Sequence, residues 1–503
     1  MRLMSFPRSD SALRVEPAFS NLAAGLTFVF GLSLTAMPAA AQPKTAQETV
    51  LRLAGSYTFG AKAALELATA WARQLKLPGV RIDGGVDPDE YDVIAEGAES
   101  AHKMTVQVRA KGTPTGLEPL LRGQADLWMA SRQVTEADLE AMRRKKVPNV
   151  PTLAQFLQPG VENVVGLAVM AVLVHPRNPL TSLTIAQIRD MYAGKVTNWG
   201  QVGGAPNLPT GLYSLEPSSG QTETFCNTIL GIADAQKCVD SFPRLANPRF
   251  AVQDDLAEAV AGNPAGIGFG DYSLRRSARA LALGTGCGIG IEPTPFRVKS
   301  EEYPLARRMF LYTMPGRPPA GATAEFLQLA LGPIGQAAIA VSGLADLAPS
   351  KSDADYGDAR LDTANNALDG GRTRVLVGDV RAFEAGIAGA VRLSTTFRFQ
   401  SGTNALDSRA EADLTRLGAL MRLPAYAQYT VSLIGFSSAS GGYAGNQALA
   451  KDRAEAIRGR LTAVGLQGVT AIGIGPGAAV ACNLDAATAP LNQRVEVWLR
   501  KRT

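Results

Sequence analysis

The sequence predicts a mixed α/β protein with two structured blocks, and three observations support this fold class. The chain has 503 residues, which is too long for a single ordinary core. Short apolar runs alternate with segments whose apolar residues recur at helical spacing. A polar stretch at 347–372, rich in Asp, Ala and Gly, separates the blocks and marks either a domain boundary or an ordered extension.

The first block, 42–346, contains regularly alternating strand and helix patterns. Strands are predicted at 50–55, 164–175 and 265–271, and helices at 61–75 and 182–194. This β-α alternation is typical of open sheets that bind ligands in a crevice at the strand ends.

The second block, 373–503, also mixes both element types. Strands are predicted at 393–399, 430–435 and 494–499, and helices at 408–421 and 446–461. Ser408 followed by Glu411 predicts a capping box at the start of the first of these helices. Val495, Val497 and Leu499 alternate in the last strand and are expected to face a core.

The bulk composition is that of a globular protein, with 46% hydrophobic and 19% charged residues. The net charge of +5 is spread along the chain, and no block of Lys and Arg is interleaved with aromatics. Binding to nucleic acid is therefore not expected.

The first 41 residues have the features of a secretory signal peptide. Arg2, Arg8 and Arg14 form a basic region, an apolar run follows at 22–37, and small residues precede a cleavage site after Ala41. The apolar run is short for a spanning helix of about 20 residues, so cleavage is favoured over an uncleaved anchor. Export would place the cysteines in an oxidising compartment.

Four cysteines are present. Cys226 and Cys238 flank a short segment and are the best disulfide candidates, and closing such a loop contributes about 3 kcal/mol. Cys287 and Cys482 are far apart in the chain, and the sequence leaves open whether they pair or stay free. No Cys/His/Asp cluster has metal-ligand spacing, so neither a metal nor a cofactor is expected.

Three loops of the first block, 55–59, 111–116 and 218–222, share one design. Each places Gly and hydroxyl residues at a predicted helix start, where free N–H groups and the helix dipole favour an anion. A single loop of this kind is weak support, because Ser and Thr are common N-caps. Three in one domain predict an anion site.

The segment 181–204, TSLTIAQIRDMYAGKVTNWGQVGG, resembles the conserved middle of the periplasmic phosphate-binding proteins of ABC transporters. In that family a Ser-Leu-Thr turn opens a helix that ends in Tyr-x-Gly-Lys, and Asn-Trp and a Gly pair follow. The resemblance covers nearly all of 50–346. It implies a two-lobed periplasmic-binding-protein fold, a phosphate-like oxyanion as ligand, and an ABC transporter as a partner in the periplasm.

The three loops and the segment that ends in Ser131-Arg132 match the ligand loops of that family. The ligand-binding residues predicted on this basis are Ser56, Thr58, Thr113, Thr115, Ser131, Arg132, Ser219, Gly220 and Gln221.

Two departures from the family pattern affect the predicted site. The family has Asp where Arg132 stands, and that Asp discriminates hydrogenphosphate from sulfate. It has Arg where this chain has Leu215. Arg132 is therefore expected to be the main cation, and selectivity for phosphate over sulfate is expected to be poor. The alternative is a drifted cleft without phosphate.

Residues 391–500 resemble the OmpA-like domain that ties outer-membrane proteins to peptidoglycan, through matches that include 397–399 and 492–497. That family holds diaminopimelate with an Asp and an Arg. Here Ser438 stands at the Asp position, while Asn446 and Arg453 remain. Either peptidoglycan binding is weakened or altered, or the fold persists without its site and Arg453 forms a surface ion pair near Asp452 or Glu455.

Together these features predict a periplasmic oxyanion-binding protein associated with the cell wall or outer membrane. The alternative is a non-catalytic envelope scaffold whose cleft has drifted. Enzymatic activity is not expected, because Ser219 has no evident His or Asp partner.

Overall fold

The computed structural model describes residues 47–502, except 88, 98–101, 218, 233, 244–247, 286, 370–375, 401–404 and 484–487. The predicted signal peptide at 1–41 lies outside the described residues. The described chain belongs to one compact unit, in which a first domain contacts a C-terminal domain.

The first domain contains fifteen described strands, several of them short. They are β1 (Gln47–Gly55), β2 (Gly79–Gly84), β3 (Glu90–Glu96), β4 (His102–Arg109), β5 (Leu127–Ala130), β6 (Glu162–Val174), β7 (Ser182–Thr184), β8 (Gly211–Leu212), β9 (Ser214–Leu215), β10 (Arg249–Phe250), β11 (Gly266–Asp271), β12 (Arg279–Ala280), β13 (Ala282–Gly284), β14 (Gly290–Ile291) and β15 (Ala306–Tyr312).

Eleven described α-helices connect these strands. They are α1 (Leu65–Gln74), α2 (Leu117–Leu121), α3 (Glu136–Arg144), α4 (Leu153–Phe156), α5 (Ile185–Tyr192), α6 (Gly220–Phe225), α7 (Ala235–Asp240), α8 (Gln253–Gly262), α9 (Pro295–Lys299), α10 (Gly321–Leu331) and α11 (Pro333–Val341). Wider π-helical turns at Phe59–Ala64 and Cys226–Leu230 precede α1 and extend α6.

A mixed sheet runs through both lobes of this domain in the order β2-β3-β4-β1-β5-β15-β6-β11-β8. The long strand β6 joins the lobes, because its first half pairs with β15 and its second half pairs with β11. Strand β1 is parallel to β4 and β5, so the carboxyl ends of these three strands meet at one edge. The predicted two-lobed α/β fold is confirmed.

Apolar side chains cover both faces of the sheet. On one face, Trp71 of α1 packs edge-on against Phe326 of α10, with ring centroids 5.7 Å apart. On the other face, Trp128 of β5 stacks on Tyr312 of β15 at 4.8 Å. These contacts fix the strand ends that carry the predicted site.

The family-like segment at 181–204 begins with a strand. Residues Ser182–Thr184 pair with β13, and the helix begins only at Ile185. Thr184 is its N-cap, and the Thr184 hydroxyl accepts from the backbone N–H of Gln187 at 3.1 Å. The Gln187 amide oxygen accepts in return from the Thr184 backbone N–H at 2.8 Å, which completes a capping box.

The C-terminal domain is a four-stranded sheet with helices on both faces. Its elements are α12 (Tyr356–Asp369), α13 (Val377–Ile387), β16 (Ala390–Phe397), α14 (Ser408–Met421), β17 (Tyr429–Phe436), α15 (Tyr443–Ala463), β18 (Val469–Gly475) and β19 (Arg494–Lys501). The sheet order is β16-β19-β17-β18. The small α/β domain predicted from the sequence is confirmed.

The capping box predicted at Ser408 and Glu411 is wrong. Asp407 is the N-cap of α14 and accepts from the backbone N–H of Ala410 at 2.8 Å. The Ser408 hydroxyl instead donates to Glu162 at the start of β6, at 2.5 Å. Packing of α14 against the first domain therefore gives this hydroxyl a partner that is distant in sequence.

The polar stretch at 347–372 contains regular structure that belongs with the C-terminal domain. Ser352 donates its backbone N–H to Arg392 of β16 at 2.8 Å. In α12, Tyr356 and Ala364 are buried against the sheet. This helix covers the face of β19 opposite the core of Val495, Val497 and Leu499. The alternation predicted in β19 is confirmed, but its other face is buried too.

No single described helix is long and apolar enough to cross a membrane. Helices α10 and α11 meet the length and composition limits only as a pair, and they are bent by 70° at their junction.

Candidate functional site in the first domain and its boundary with the C-terminal domain

The loops that follow β1, β4 and β5 are held together by backbone hydrogen bonds. The Gly112 N–H donates to the Gly55 carbonyl, and the Ser56 N–H donates to the Met129 carbonyl, both at 2.8 Å. Gly55 and Gly112 have φ values of +131° and +103°, which side chains rarely allow. The loops therefore meet at the edge where ligands of open α/β sheets bind.

Thr113 and Ser131 are brought together at this edge. Their hydroxyl oxygens are 3.0 Å apart, and the Ser131 backbone N–H donates to the Thr113 hydroxyl at 3.0 Å. The Thr113 carbonyl accepts from the Trp128 indole at 2.8 Å, so the pair is anchored on the core. Two loops distant in sequence thus present adjacent hydroxyls.

The first and third predicted loops face each other. A Cβ on Gly220 would lie 3.5 Å from the Thr58 hydroxyl oxygen, so any side chain at position 220 would contact Thr58. Ser219 caps α6, and its hydroxyl accepts from the Gln221 backbone N–H at 3.3 Å and donates to the Gln221 side chain at 2.9 Å. The structure therefore places Thr58, Ser219, Gly220 and Gln221 together.

The hydroxyls of Ser56 and Thr115 each form a hydrogen bond within their own loop. Ser56 is buried, and its hydroxyl accepts from the backbone N–H of Phe59 at 3.4 Å. The exposed Thr115 donates to the Gly112 carbonyl at 2.8 Å. Thr115 lines a separate cavity with Arg52 and Arg109 and is not grouped with the Thr113–Ser131 pair.

Arg132 forms a forked ion pair with Asp138 of α3. Its two terminal nitrogens lie 2.7 and 2.8 Å from the carboxylate oxygens, and one of them also donates to the Gln133 carbonyl at 3.2 Å. Hydrogen bonding to Asp138 raises the pKa of Arg132. Burial alone would raise the pKa of Asp138, but hydrogen bonds from Arg132 and Thr135 outweigh it and lower that pKa. Three of the five guanidinium donors of Arg132 are thus occupied.

A cavity of about 610 Å³ opens beside Ser131 and Arg132 and lies between the two domains. We call it the interdomain cavity. Its first-domain wall includes Ser131, Arg132, Glu223, Thr224, Tyr303 and Arg307, and its C-terminal wall includes Arg398, Phe399, Asp407, Pro490, Leu491 and Gln493.

Arg307 of β15 is a cation of this cavity that the site prediction missed. Its guanidinium donates to the Thr224 hydroxyl, and its Nε is buried without a hydrogen-bond partner among the described residues. Burial lowers the pKa of Arg307, and the charges of Asp271 and Glu223 oppose this only in part. A stretch at 303–307 that resembles the family pattern ends at Arg307, but the local pattern of β15 does not distinguish Arg307 from Arg308 beside it as a site residue.

The predicted peptidoglycan residues occupy neighbouring positions in the C-terminal domain. The Ser438 and Ser440 hydroxyl oxygens are 2.8 Å apart, and Asn446 donates its side-chain amide to the Ser440 carbonyl at 3.0 Å. Arg453 is 5% exposed and lies over the Phe399 ring, 4.5 Å from its centroid. Burial lowers the pKa of Arg453.

This position of Arg453 differs from the surface ion pair considered as an alternative. Glu455 pairs with Arg458 instead, at 2.5 Å. The predicted peptidoglycan residues also adjoin the interdomain cavity, because Gln493 donates to the Ser438 hydroxyl at 3.3 Å and lines the cavity together with Phe399.

A charged cluster centred on Glu301 joins the two domains. Arg308 of the first domain and Arg398 and Arg409 of the C-terminal domain lie 2.6, 3.1 and 2.9 Å from its carboxylate. Asp407 lies 2.8 Å from Arg308. Burial alone would raise the pKa of Glu301, but the guanidinium charges outweigh it and hold that pKa well below its usual value.

Both cysteine pairs form disulfides. Cys226–Cys238 confirms the pairing predicted from the short loop. Cys287 and Cys482, which the sequence left open, are also bonded and cross-link the two domains. The Thr285 hydroxyl accepts from the Cys482 backbone N–H at 3.2 Å beside this bond. Within the described ranges, no three His, Cys, Asp or Glu side chains are grouped to hold a metal.

The fold is that of a two-lobed α/β domain in which hydroxyl-bearing loops converge at the carboxyl ends of parallel strands. Residues 79–333 match the family model of the PBP superfamily domain, and residues 398–486 match that of the OmpA family. Because the first match spans more than half of the chain, this chain belongs to the PBP superfamily.

The curated relatives of this chain include protein SphX and phosphate-binding protein PstS. Protein SphX of Synechococcus elongatus is 28% identical over 234 residues, which cover 44% of this chain and 63% of SphX. Phosphate-binding protein PstS of Pseudomonas aeruginosa is 25% identical over 265 residues, which cover 49% of this chain and 76% of PstS. The chain thus spans less than two thirds of the length of SphX.

Two of the solved structures that resemble this chain cover different shares of it. A phosphate ABC transporter substrate-binding protein from Clostridium perfringens, with bound phosphate, is 21% identical and covers 59% of this chain and 99% of its own, with a TM-score of 0.40. The peptidoglycan-associated lipoprotein of Burkholderia pseudomallei is 22% identical and covers 21% of this chain and 89% of its own, with a TM-score of 0.20.

Proposed function

We propose that this chain is a periplasmic solute-binding protein for a phosphate-like oxyanion, and that its C-terminal domain associates it with the cell wall or outer membrane. The observation that best supports the anion site is the hydroxyl pair of Thr113 and Ser131 at the strand ends. Thr58, in the loop after β1, and Gly220, at the start of α6, face each other at contact distance. Hydroxyl and backbone N–H donors of this kind suit the oxygens of a tetrahedral anion.

Phosphate is the first anion to test, because the curated relatives include proteins named for phosphate binding. Catalysis is not part of the proposal. An ABC transporter is the partner that the family resemblance implies, and peptidoglycan is the partner proposed for the C-terminal domain.

Thermal unfolding of the full mature chain with phosphate or sulfate tests the anion site. An anion at a hundredfold excess over its dissociation constant should stabilise the folded state by about 2.7 kcal/mol. Native mass spectrometry should find the anion on the folded chain. Unchanged melting with both anions, and no bound anion by mass, would refute the proposal.

The Arg132→Ala variant tests the cation predicted from the sequence. We expect a loss of about 1.5–3 kcal/mol of binding free energy by calorimetry, the usual contribution of a charge-assisted hydrogen bond. Arg143→Ala is the matched control, because Arg143 pairs with Glu136 on the exposed side of α3. Equal affinity of Arg132→Ala and the native chain would place the anion elsewhere.

Selectivity between phosphate and sulfate tests the missing family Asp. We expect less than about a hundredfold preference, roughly 2.7 kcal/mol. A larger preference would require another hydrogen-bond acceptor. Glu223 lines the interdomain cavity and would be the carboxylate to substitute next.

A pull-down with purified sacculi tests the C-terminal domain. Without a carboxylate at Ser438, binding of the full chain should be weak and should fall as salt rises. Ser438→Asp should strengthen it, whereas the control Thr462→Asp, at an exposed position near the end of α15, should not. Tight binding by the native chain at high salt would contradict a site that depends on one charge.

A further inference from the structure

The positive charge of Arg307, which lines the interdomain cavity, has few polar partners. Among the residues that the structure describes, it makes no ion pair, and its single hydrogen bond goes to the Thr224 hydroxyl. Its Nε is buried and unpartnered. A desolvated charge is costly unless it is paired, so an anion placed beside Arg307 would be stabilised. Ser131 lines the same wall and offers a hydroxyl.

The opposite wall of the interdomain cavity has a different chemistry. Phe399, Pro490 and Leu491 of the C-terminal domain present apolar surface there. Gln493 adds a polar group that also donates to Ser438. The two charged side chains of this wall, Arg398 and Asp407, are already paired with Glu301 and Arg308. This wall suits an uncharged, partly apolar body and not a second phosphate.

The size of the cavity exceeds what a bare oxyanion fills. Its volume is about 610 Å³. At about 30 Å³ for each water, this is the space of roughly 20 water molecules, whereas a tetrahedral oxyanion has five heavy atoms. Cavities of about 300–1,000 Å³ hold organic ligands of moderate size.

We propose that the interdomain cavity binds a phosphate monoester with an organic body. Its phosphate group contacts Arg307 and the Ser131 hydroxyl, and its body packs against Phe399 and Leu491. This inference rests on the proposed function, because it assumes a phosphate-like anion in the first domain. It gives the C-terminal domain a direct part in ligand selection, in addition to attachment to the cell wall.

Calorimetry on the full disulfide-bonded chain, with inorganic phosphate, methyl phosphate and phenyl phosphate, tests the proposal. Phenyl phosphate should bind at least tenfold more tightly than the other two. Phe399→Ala and Leu491→Ser should each remove most of this advantage while changing the affinity for inorganic phosphate less than twofold. Leu423→Ser, at an exposed leucine of the same domain, should leave all three affinities unchanged.

Arg307→Gln should weaken binding of all three probes at least tenfold, whereas Arg143→Gln should not. Circular dichroism identifies any variant that fails to fold, and Leu491→Ser, at the cavity rim, serves if Phe399→Ala does not fold.

The possible outcomes separate the two proposals. Inorganic phosphate binding as tightly as phenyl phosphate would overturn the monoester site and leave the proposed function standing. Failure of all three probes to bind would overturn both. An advantage of phenyl phosphate that survives in both wall variants would overturn the assigned position of the organic body.

Discussion

Two glutamates of this chain are each surrounded by three arginines, one inside the C-terminal domain and one between the domains. At Glu496 of β19, the carboxylate lies 3.1 Å from Arg360, 3.3 Å from Arg392 and 2.7 Å from Arg494. Trp498 also donates its indole N–H to this carboxylate at 2.9 Å. Glu496 is fully buried.

The charges of the surrounding arginines keep the buried Glu496 carboxyl ionised. Burial alone would raise the pKa of Glu496, but the charges of its three arginines outweigh it and hold that pKa far below its usual value. Burial lowers the pKa of Arg494 to about 10, although Glu496 opposes this. Among the described residues, Glu496 is the one carboxylate within ion-pair distance of these three buried cations. The charge of Glu302 also raises the pKa of Arg360 and of Arg494, but without an ion-pair contact.

The Glu301 cluster differs because it contains further carboxylates. Asp407 pairs with Arg308 at 2.8 Å, and Asp413 pairs with Arg409 at 3.3 Å. If Glu301 were neutral, two of its three arginines would keep an acidic partner. The comparison indicates that the free-energy cost of neutralising a buried carboxylate depends on whether its arginines have other acidic partners. The number of arginines around the carboxylate matters less.

The largest effect is expected for Glu496→Gln. Removing the charge leaves three buried guanidiniums around a neutral amide, which should cost about 3–5 kcal/mol of unfolding free energy. Urea denaturation of the full chain measures it. The control Glu455→Gln, in an exposed pair with Arg458, should cost less than about 1 kcal/mol. If Glu496→Gln lost no more unfolding free energy than the control, the three arginines would not depend on the Glu496 charge.

Glu301→Gln should have a smaller effect, about 1.5–3 kcal/mol, because Asp407 and Asp413 remain. The measurement is calorimetric unfolding in a background that combines Cys287→Ser with Cys482→Ser, so that the cross-link does not hide a weakened interface. We expect the two domains to unfold in separate transitions. Glu136→Gln, at an exposed pair in the first domain, is the control. A single unchanged transition would show that the cluster does not join the domains.

Acid should weaken both clusters. A carboxyl whose folded pKa is depressed contributes its full stability above the unfolded value, about 4.3 for Glu, and loses it as the pH falls from there towards the folded pKa. The slope is at most about 1.4 kcal/mol per pH unit for each group. Glu301→Gln and Glu496→Gln should each make the unfolding free energy fall less steeply below about pH 4.3. If the native and variant chains lost stability with the same slope, the lowered pKa values of Glu301 and Glu496 would be contradicted.

The smallest effect is expected at an exposed ion pair of the same domain. Arg460 of α15 forms a forked pair with Glu411 of α14, with both contacts at 2.6 Å. Because water and salt screen this pair, Arg460→Gln should cost only about 0.2–1 kcal/mol in urea denaturation. A cost similar to that of Glu496→Gln would show that burial is not what separates these sites.

Local patterns predicted much of the fold. The strand at 164–175 corresponds to β6 (Glu162–Val174), and the helix at 446–461 corresponds to α15 (Tyr443–Ala463) with its apolar stripe buried. The helix start at Ser408 was assigned one residue late, because Asp and Ser are both good N-caps and only packing against Glu162 distinguishes them.

The candidate site was predictable only in part. The sequence marked the loops of Thr58, Thr113 and Ser219, because hydroxyls and glycines at helix starts form a local signal. It also marked Arg132, but not that Asp138 occupies its fork. That pairing depends on side-chain geometry, which spacing alone does not determine.

The sequence by itself determined the β-α alternation, the family-like segment, the hydroxyl loops and the Cys226–Cys238 bond, since each is encoded within a short stretch of chain. Only the tertiary structure decided that Arg307 lines a cavity, that Cys287 pairs with Cys482, and that Glu301 joins the domains. The physical reason is that these contacts arise where separately folded surfaces pack together, and an arginine or cysteine has the same local pattern whether or not a distant partner reaches it.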